Sequence, residues 1–209
     1  MKKLLLSLVL AGSVFGFGNS GMQNSWFSTM LNQYPVEALS NAEKNALLHM
    51  AEEEKLARDV YTTLYNKWGL RVFGNIKKAE QHHMNMVDML LKRYGMKINN
   101  LPVGEFHDSK VQELYNKLVN MGSKSRVDAL KVGALIEDLD IYDLEKYMKE
   151  VDNKDILFIF KNLTKGSRNH MRAFIGWLKT YKATYSPQYI SYNEFNNIIN
   201  SPFERGIVK

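Results

Sequence analysis

A chain of 209 residues and 24.2 kDa is long enough for one well-packed domain, and nothing in it indicates a second domain of comparable size. Hydrophobic residues at 45%, charged residues at 24% and only four prolines exclude a disordered or low-complexity chain. The net charge of +6 is mild and spread over several segments, which argues against nucleic-acid binding. Because the chain has no cysteine, any bound metal must have nitrogen and oxygen ligands.

The N-terminus has the layout of a secretory signal peptide. Lys2 and Lys3 precede an apolar run from Leu4 to Leu10, and small residues follow that run. The run is too short to span a bilayer. We therefore expect residues 1–18 to be removed on export, with a periplasmic location, no membrane contact after cleavage, and residues 19–39 as an N-terminal extension.

Four long amphipathic patterns and one short pattern predict an all-α domain over residues 40–182. Ser40 and Glu43 form a capping-box pair at the first helix, and Gly95 is a natural stop for the second. The fourth long helix is predicted to start at Asp152 as its cap. The predicted helices are A from about 40 to 68, B from about 72 to 94, a short helix from 109 to 121, C from about 125, and D to about 181.

Each long helix carries polar residues in the stripe where core residues are expected. In helix B the apolar positions Phe73 and Ile76 are followed by a carboxylate and an imidazole one turn apart. The loops between A and B and between C and D are short, so both pairs are predicted to form hairpins and the polar positions to meet at a similar depth. These inward-facing residues are Glu54, Glu80, His83, Glu137, Asp140 and His170.

Four carboxylates and two imidazoles cannot be buried together without compensation, because burying even one ionised carboxylate alone is costly. Two divalent cations would balance the carboxylates and use the imidazoles as neutral donors. A Glu-x-x-His turn beside single Glu residues on neighbouring helices is typical of di-iron and di-manganese proteins. We therefore predict that all six residues bind metal, with two iron ions expected and manganese or zinc as alternatives.

Four segments carry a family resemblance. These segments are IKKAEQHH, MAEEEKLARDVYTTLYNKWG, VGALIEDLDIYDLE and NLTKGSRNHMRAF. Together they resemble the ferritin-like superfamily, within it the rubrerythrin-type domains, and most closely a prokaryotic ferritin-like domain family of unknown function. The resemblance spans about residues 43 to 180 and implies a ferritin-like four-helix bundle. The long connection between helices B and C, with its short helix, would be the single crossover of that bundle.

The resemblance also implies ligand positions. The helix A ligand falls on Glu54, the Glu-x-x-His pair on Glu80 and His83, and the paired acids of the third helix on Glu137 and Asp140. The fourth helix departs from the rubrerythrin pattern, because Ser167 stands three residues before His170 where a glutamate is expected. Either Asp140 replaces the missing ligand, or one metal position is weaker and more open.

Several nearby residues have more ordinary interpretations. We expect Glu52 and Glu53 to point away from the metal site, and His49 and His107 to be surface or loop residues. His82 is predicted to face the flank of helix B. Tyr61 is predicted to be a core residue with a satisfied hydroxyl group rather than a redox relay.

The predicted function is redox chemistry at a di-iron centre. The substrate would be ferrous iron, O2 or peroxide, and a peroxidase would need an external electron donor because the chain has no cysteine-ligated iron centre. The competing class is a non-catalytic metal-binding or structural bundle, and a metal-free interaction protein ranks last. The tail, residues 183–209, has two open roles: packing across the bundle or forming contacts in a homodimer.

Overall fold

The computed structural model describes the backbone from residue 20 and the side chains from residue 26. The predicted signal peptide therefore lies outside the described residues. From residue 20 onward the chain forms helices and no strand, so the prediction of an all-α fold is confirmed. The helices are α1 Ser20–Leu31, α2 Asn41–Trp68, α3 Arg71–Arg93, α4 Ser109–Gly122, α5 Arg126–Tyr147, α6 Lys154–Thr180 and α7 Tyr192–Asn200.

Local capping explains where α2 begins but not where α6 begins. The Ser40 side chain accepts a hydrogen bond from the Glu43 amide, and the Glu43 carboxylate accepts one from the Ser40 amide, which completes the predicted capping box. The predicted cap of α6 is wrong by one residue, because Asn153 rather than Asp152 precedes the first turn. The Asn153 side chain does not cap the helix; it donates to the Tyr94 hydroxyl.

Four long helices form the body of the molecule. α2 packs along α3, and α5 packs along α6; contacts of α3 with α6 and of α2 with α5 join the two pairs. Only Gly69 and Leu70 separate α2 from α3, and Gly69 adopts a left-handed φ of +64° at the turn. α4 lies against α2 and α5. None of the helices between residues 20 and 209 combines the length and apolar character needed to span a membrane.

The apolar core is divided into two clusters by a polar layer. One cluster includes Tyr61 of α2 and Phe73 of α3, and the other includes Met50 of α2 and Leu90 of α3. On α2, α3 and α6 the polar residues that interrupt the helical stripes lie between these two clusters along the sequence, and on α5 they lie close to the boundary. The fold thus places charged groups at mid-depth, where no solvent compensates for their burial. These residues are Glu54, Glu80, His83, Glu137, Asp140, Ser167 and His170.

The C-terminal tail packs on the helical body. The Arg172 guanidinium donates to the carbonyl of Ile198 at the end of α7, at 2.8 Å, and Arg168 forms an ion pair with Glu204. Asn162 exchanges hydrogen bonds with the backbone of Val208. Of the two roles left open for this segment, packing across the body is observed. Neither α7 nor α1 was predicted.

Candidate metal centre

Glu80 occupies the middle of the polar layer and contacts both histidines. Its Oε2 lies 2.8 Å from Nδ1 of His83, one turn further along α3, and its Oε1 lies 2.8 Å from Nδ1 of His170 on α6. The two imidazole rings are stacked, with centroids 5.4 Å apart and planes 28° from parallel. One carboxylate therefore joins the histidines of two different helices.

Glu54 and Glu137 extend this arrangement on either side. Glu54 Oε2 from α2 is 3.1 Å from Nδ1 of His83, and Glu137 Oε2 from α5 is 3.5 Å from Nδ1 of His170. Each histidine thus faces Glu80 and one further carboxylate. The structure brings these five predicted site residues together from four helices, in a nearly symmetric row that we call the central cluster.

Two close contacts hold members of the row in place. The Tyr61 hydroxyl donates a hydrogen bond to Glu137 Oε1, so this buried tyrosine packs in the core and also orients a cluster residue. On the other side, a Cβ atom at Gly166 would lie 2.4 Å from Nε2 of His83. Gly166 is needed at this position of α6 because a larger residue would displace the imidazole.

Asp140, the sixth predicted residue, lies beside the row but forms no ion pair with either histidine among the described contacts. Its Oδ2 accepts a hydrogen bond from the Ser167 hydroxyl, which also contacts the carbonyl of Leu163. Asp140 is close enough to the row that the charges of Glu54 and Glu137 act on it: burial and these two carboxylates raise its pKa well above the ordinary value.

Electrostatic coupling within the row is strong because its members are buried. Burial raises the pKa of Glu54 to about 7, against the opposing effect of the His83 imidazole. Burial alone would raise the pKa of Glu80 as well, but the imidazoles of His170 and His83 outweigh it and lower that pKa. Burial opposes protonation of His170, yet Glu80 and Glu137 raise its pKa to about 10. Without metal, protons on the imidazoles supply the positive charge that the carboxylates require.

Three buried polar atoms in the row have no hydrogen-bond partner: Glu54 Oε1, Glu80 Oε1 and His170 Nδ1. The last two are 2.8 Å apart, so their distance allows a hydrogen bond but their alignment does not. Buried polar atoms are almost always paired in folded proteins. Donor atoms that lie close together without pointing at each other fit a common bound cation, so the residues present fit the predicted metal.

A cavity of about 560 Å3 lies between α3 and α6 and reaches the central cluster at His170. Its walls are mostly apolar and include Val72, Ile76, Trp177 and, from the tail, Phe203. His170 is also the most exposed member of the cluster, at 9%. A small molecule would reach the cluster most directly from this side.

Comparison with known proteins places the chain in a family. The model of the family described as "Uncharacterized protein domain (DUF2202)" matches residues 43–202. The chain belongs to the DUF2202 family. It is 54% identical to the uncharacterized protein MJ0754 of Methanocaldococcus jannaschii, over 85% of this chain and 97% of that protein. The crystal structure of MJ0754 superposes with a TM-score of 0.80 at 55% identity and covers 81% of this chain and 98% of the other.

The DUF2202 match includes all six predicted site residues and continues through α7. Sequence reasoning missed two features of this family member that the structure supplies. Gly166 gave no signal, because its role depends on the imidazole that α3 places opposite it. The pairing of Ser167 with Asp140 depends on the register of α5 against α6. The sequence showed only that Ser167 and His170 lie three residues apart, on the same turn of one helix.

Several residues outside the central cluster, including the predicted surface histidines His49 and His107, have more specific surroundings than expected. His49 is partly exposed but lies 3.6 Å from Glu53 Oε2 and 3.8 Å from Asp143 Oδ2. Glu53 points away from the central histidines and is nevertheless buried. Glu52 accepts hydrogen bonds from the amides at 107 and 108, and His107 contacts the carbonyl at position 99. On α3, the Nδ1 atom of His82 is buried without a partner.

Proposed function

We propose that this protein is a ferritin-like di-metal carboxylate protein, with iron as the metal that its donor set favours. The observation that carries the proposal is the position of Glu80, whose two oxygens each lie 2.8 Å from a different histidine. Glu54, Glu80 and His83 would hold one ion. Glu80, Glu137 and His170 would hold the other, so Glu80 would belong to both ligand sets.

Asp140 is the carboxylate that we assign in place of the glutamate missing at Ser167. The Ser167 hydroxyl donates to it, and its charge acts on both Glu54 and Glu137. A carboxylate close enough to both acids for their charges to act on it is a candidate ligand for either ion. This supports Asp140 as a replacement ligand over a weaker, open metal position.

The ferritin-like assignment has topological support as well. The helix pairs α2–α3 and α5–α6 are joined by short loops, whereas the connection between α3 and α5 is long and contains α4. A single long crossover between two helical hairpins is characteristic of ferritin-like bundles. The ligands of such proteins project inward from all four long helices, as the members of the central cluster do.

Iron bound in the central cluster would supply one-electron redox chemistry toward O2 or peroxide. The residues of the chain would position the ions and control access: Tyr61 orients Glu137, and the cavity at His170 admits small molecules. The apolar walls of that cavity suit O2, and removal of water protects reactive species. Oxidation of ferrous iron, with iron as the substrate, needs no further electron donor. Peroxide reduction would need one from outside the chain, since the sequence has no cysteine.

Export to the periplasm through residues 1–18 belongs to the same proposal.

A non-catalytic metal centre is the second candidate. The observation that favours it is burial, because no residue of the central cluster is more than 9% exposed. A closed centre of this kind stabilises a fold by tying its helices together. The two candidates share their ligands and differ only in their reaction with O2 or peroxide.

The first experiment measures metal content after anaerobic reconstitution with Fe²⁺. We expect the central cluster of the wild type to hold about two irons per chain, with a large loss in Glu54→Gln and Glu80→Gln. Glu52→Gln is the matched control, because Glu52 is also a buried glutamate of α2 but lies outside the central cluster. Equal iron contents in all four proteins would contradict the proposal.

A second measurement separates the two candidate functions. The reconstituted wild-type protein is exposed to air and then to peroxide while ultraviolet absorption is recorded. New ferric absorption that forms faster than in the Glu80→Gln variant supports the redox function. An unchanged spectrum with full iron content supports the non-catalytic centre.

A further inference from the structure

A second group of metal-ligand side chains lies at the edge of the polar layer, one helical turn from Asp140. It consists of His49 and Glu53 of α2 and Asp143 of α5, and we call it the outer cluster. His49 Nε2 is 3.6 Å from Glu53 Oε2 and 3.8 Å from Asp143 Oδ2. One donor atom from each residue lies within 4.8 Å of the other two.

The spacing of these atoms suits shared coordination better than direct pairing. Distances of 3.6 and 3.8 Å are too long for hydrogen bonds between the imidazole and the carboxylates. Two ligands bound at about 2.1 Å to one tetrahedral ion would lie about 3.4 Å apart. The two distances from the imidazole therefore need to shorten by only a few tenths of an ångström, and the two carboxylate donors already lie within 4.8 Å of each other.

Glu53 gives an independent indication of a missing cation. Its side chain is only 7% exposed, and its Oε2 atom, which faces His49, has no hydrogen-bond partner. A second carboxylate, that of Asp143, faces the same imidazole at 3.8 Å and lies within 4.8 Å of the Glu53 donor atom. Within residues 26–209, no lysine or arginine nitrogen forms an ion pair with Glu53 or Asp143. A buried oxygen among acids is stabilised by a bound cation.

The outer cluster is accessible, unlike the central cluster. The His49 side chain is 36% exposed and lines a cavity of about 670 Å3, together with Glu52, His107 and Tyr147. The His49 ring packs against Tyr147, with centroids 5.6 Å apart, which limits its orientations. An ion from solvent can reach this imidazole without any movement of the helices.

We propose that the outer cluster binds a divalent transition-metal ion at the surface and passes it to the central cluster by way of Asp140. One imidazole and two carboxylates suit Fe²⁺, Mn²⁺ or Zn²⁺. The path is short in the fold, since Glu53 is adjacent to Glu54 on α2 and Asp143 is one turn from Asp140 on α5. Binding at the outer cluster depends only on its own residues, whereas the transfer step rests on the proposed function.

Binding is tested by titrating the metal-free protein with Mn²⁺ and measuring free Mn²⁺ by electron paramagnetic resonance. We expect His49→Ala and Asp143→Asn each to bind one equivalent less than wild type. His107→Ala is the matched control, because this histidine lines the same cavity but lies outside the outer cluster. If His49→Ala and Asp143→Asn, folded by circular dichroism, bind as much Mn²⁺ as wild type, the outer site is overturned.

The His83→Ala variant distinguishes this site from the central one. It should lose the central ions and keep the one equivalent that a further His49→Ala substitution removes. If the wild type binds only that single equivalent, the proposed di-metal function fails and the outer site stands. If the wild type binds two equivalents and none is lost in His49→Ala, the outer site fails and the di-metal function stands.

The transfer step is tested by following Mn²⁺ uptake over time in samples frozen at intervals. His49→Ala should fill the central cluster more slowly and reach the same final central content. Filling at the wild-type rate would overturn the transfer role, even where equilibrium binding at the outer cluster is observed.

Discussion

Two groups of buried acids in this protein have opposite surroundings. Asp138 and Asp155 are fully buried and well supplied with donors from the protein. The carboxylate of Asp138 accepts hydrogen bonds from the amides of residues 188–190 and from the Tyr185 hydroxyl. Asp155 pairs with Arg93 at 2.9 Å and accepts from the Tyr94 hydroxyl.

Two acids of the central cluster, Glu54 and Glu80, lack such donors. Glu54 and Glu80 face histidines, and each retains an oxygen with no hydrogen-bond partner. A buried carboxylate with several N–H and O–H donors stabilises the fold, whereas one that faces other carboxylates requires a proton or a cation. The partners of a buried acid, rather than its burial, therefore separate structural acids from candidate ligands.

Metal addition should give the largest effect. Any ion that binds only the folded state stabilises it, by about 4 kcal/mol when the free ion is at about 1,000 times its Kd. We expect Mn²⁺ to raise the unfolding free energy of the metal-free wild type by about this amount, measured by urea denaturation. Glu80→Gln should lose most of the increase, and Asp155→Asn should retain it. A full increase in Glu80→Gln would remove the distinction between the two groups of acids.

Asp138→Ala should destabilise the protein by about 3 kcal/mol with metal content unchanged. The substitution leaves the amide of buried Ile190 without its acceptor, and an unsatisfied buried group costs about 1–3 kcal/mol. The other donors to Asp138 belong to residues that are exposed or half-buried, so water can replace much of what they lose. Urea denaturation and elemental analysis check the two parts. A loss of metal without a loss of stability would contradict the structural role of Asp138.

Gly166→Ala should reduce metal content while keeping the fold, because the added Cβ would lie 2.4 Å from Nε2 of His83. Gly176→Ala is the matched control on the same helix, since a Cβ there meets nothing within 4 Å. The control should gain about 0.5–1 kcal/mol of stability from the helix preference of alanine and bind metal normally. Equal metal contents in the two variants would contradict the role assigned to Gly166 in placing His83.

Ser40→Ala should give the smallest effect, a loss of about 1 kcal/mol from the capping box of α2. The partner Glu43 adds a pH dependence. Burial favours its neutral form, but hydrogen bonds from Ser40 and Asn153 outweigh burial and lower its pKa below 4.5. A carboxylate with a lowered folded-state pKa stabilises above pH 4.5, and the contribution is lost as pH falls through the folded value.

The measurement for this prediction is acid unfolding of wild type and Glu43→Gln. The variant should be less stable at neutral pH and should lose less stability below pH 4.5, since it has no carboxylate to protonate. Parallel pH profiles of the two proteins would contradict the role assigned to Glu43.

The sequence predicted much of this architecture because helical periodicity and caps are local signals. The five long and short helices between residues 40 and 182 were expected from their stripes, and Ser40 with Glu43 marked a start that the structure contains. The inward direction of Glu80 and His83 followed from the same periodicity. Periodicity relates only residues of the same helix. The alternation of carboxylates and imidazoles in the row could not be predicted from it, because that order depends on how the four helices align.

Features that depend on contacts between distant segments could not be predicted from the sequence. The outer cluster joins α2 to α5, and the side chains of Glu53 and Asp143 each look like ordinary surface acids in their own helices. The tail was left open because its partners, such as Asp138 and Arg172, give no local signal of the segment that will cover them. α7 is short and lies in a polar stretch rich in asparagine, which hides its periodicity.

The division of the apolar core into two clusters has a consequence for how the molecule opens. The polar layer separates the cluster around Met50 and Leu90 from the cluster around Tyr61 and Phe73. Each half can therefore behave as its own cooperative unit, and ions held between them would join the halves into one. Amide hydrogen exchange would then report different opening free energies for the two halves of α2 in the metal-free protein. In the metal-bound protein both halves would have the same opening free energy.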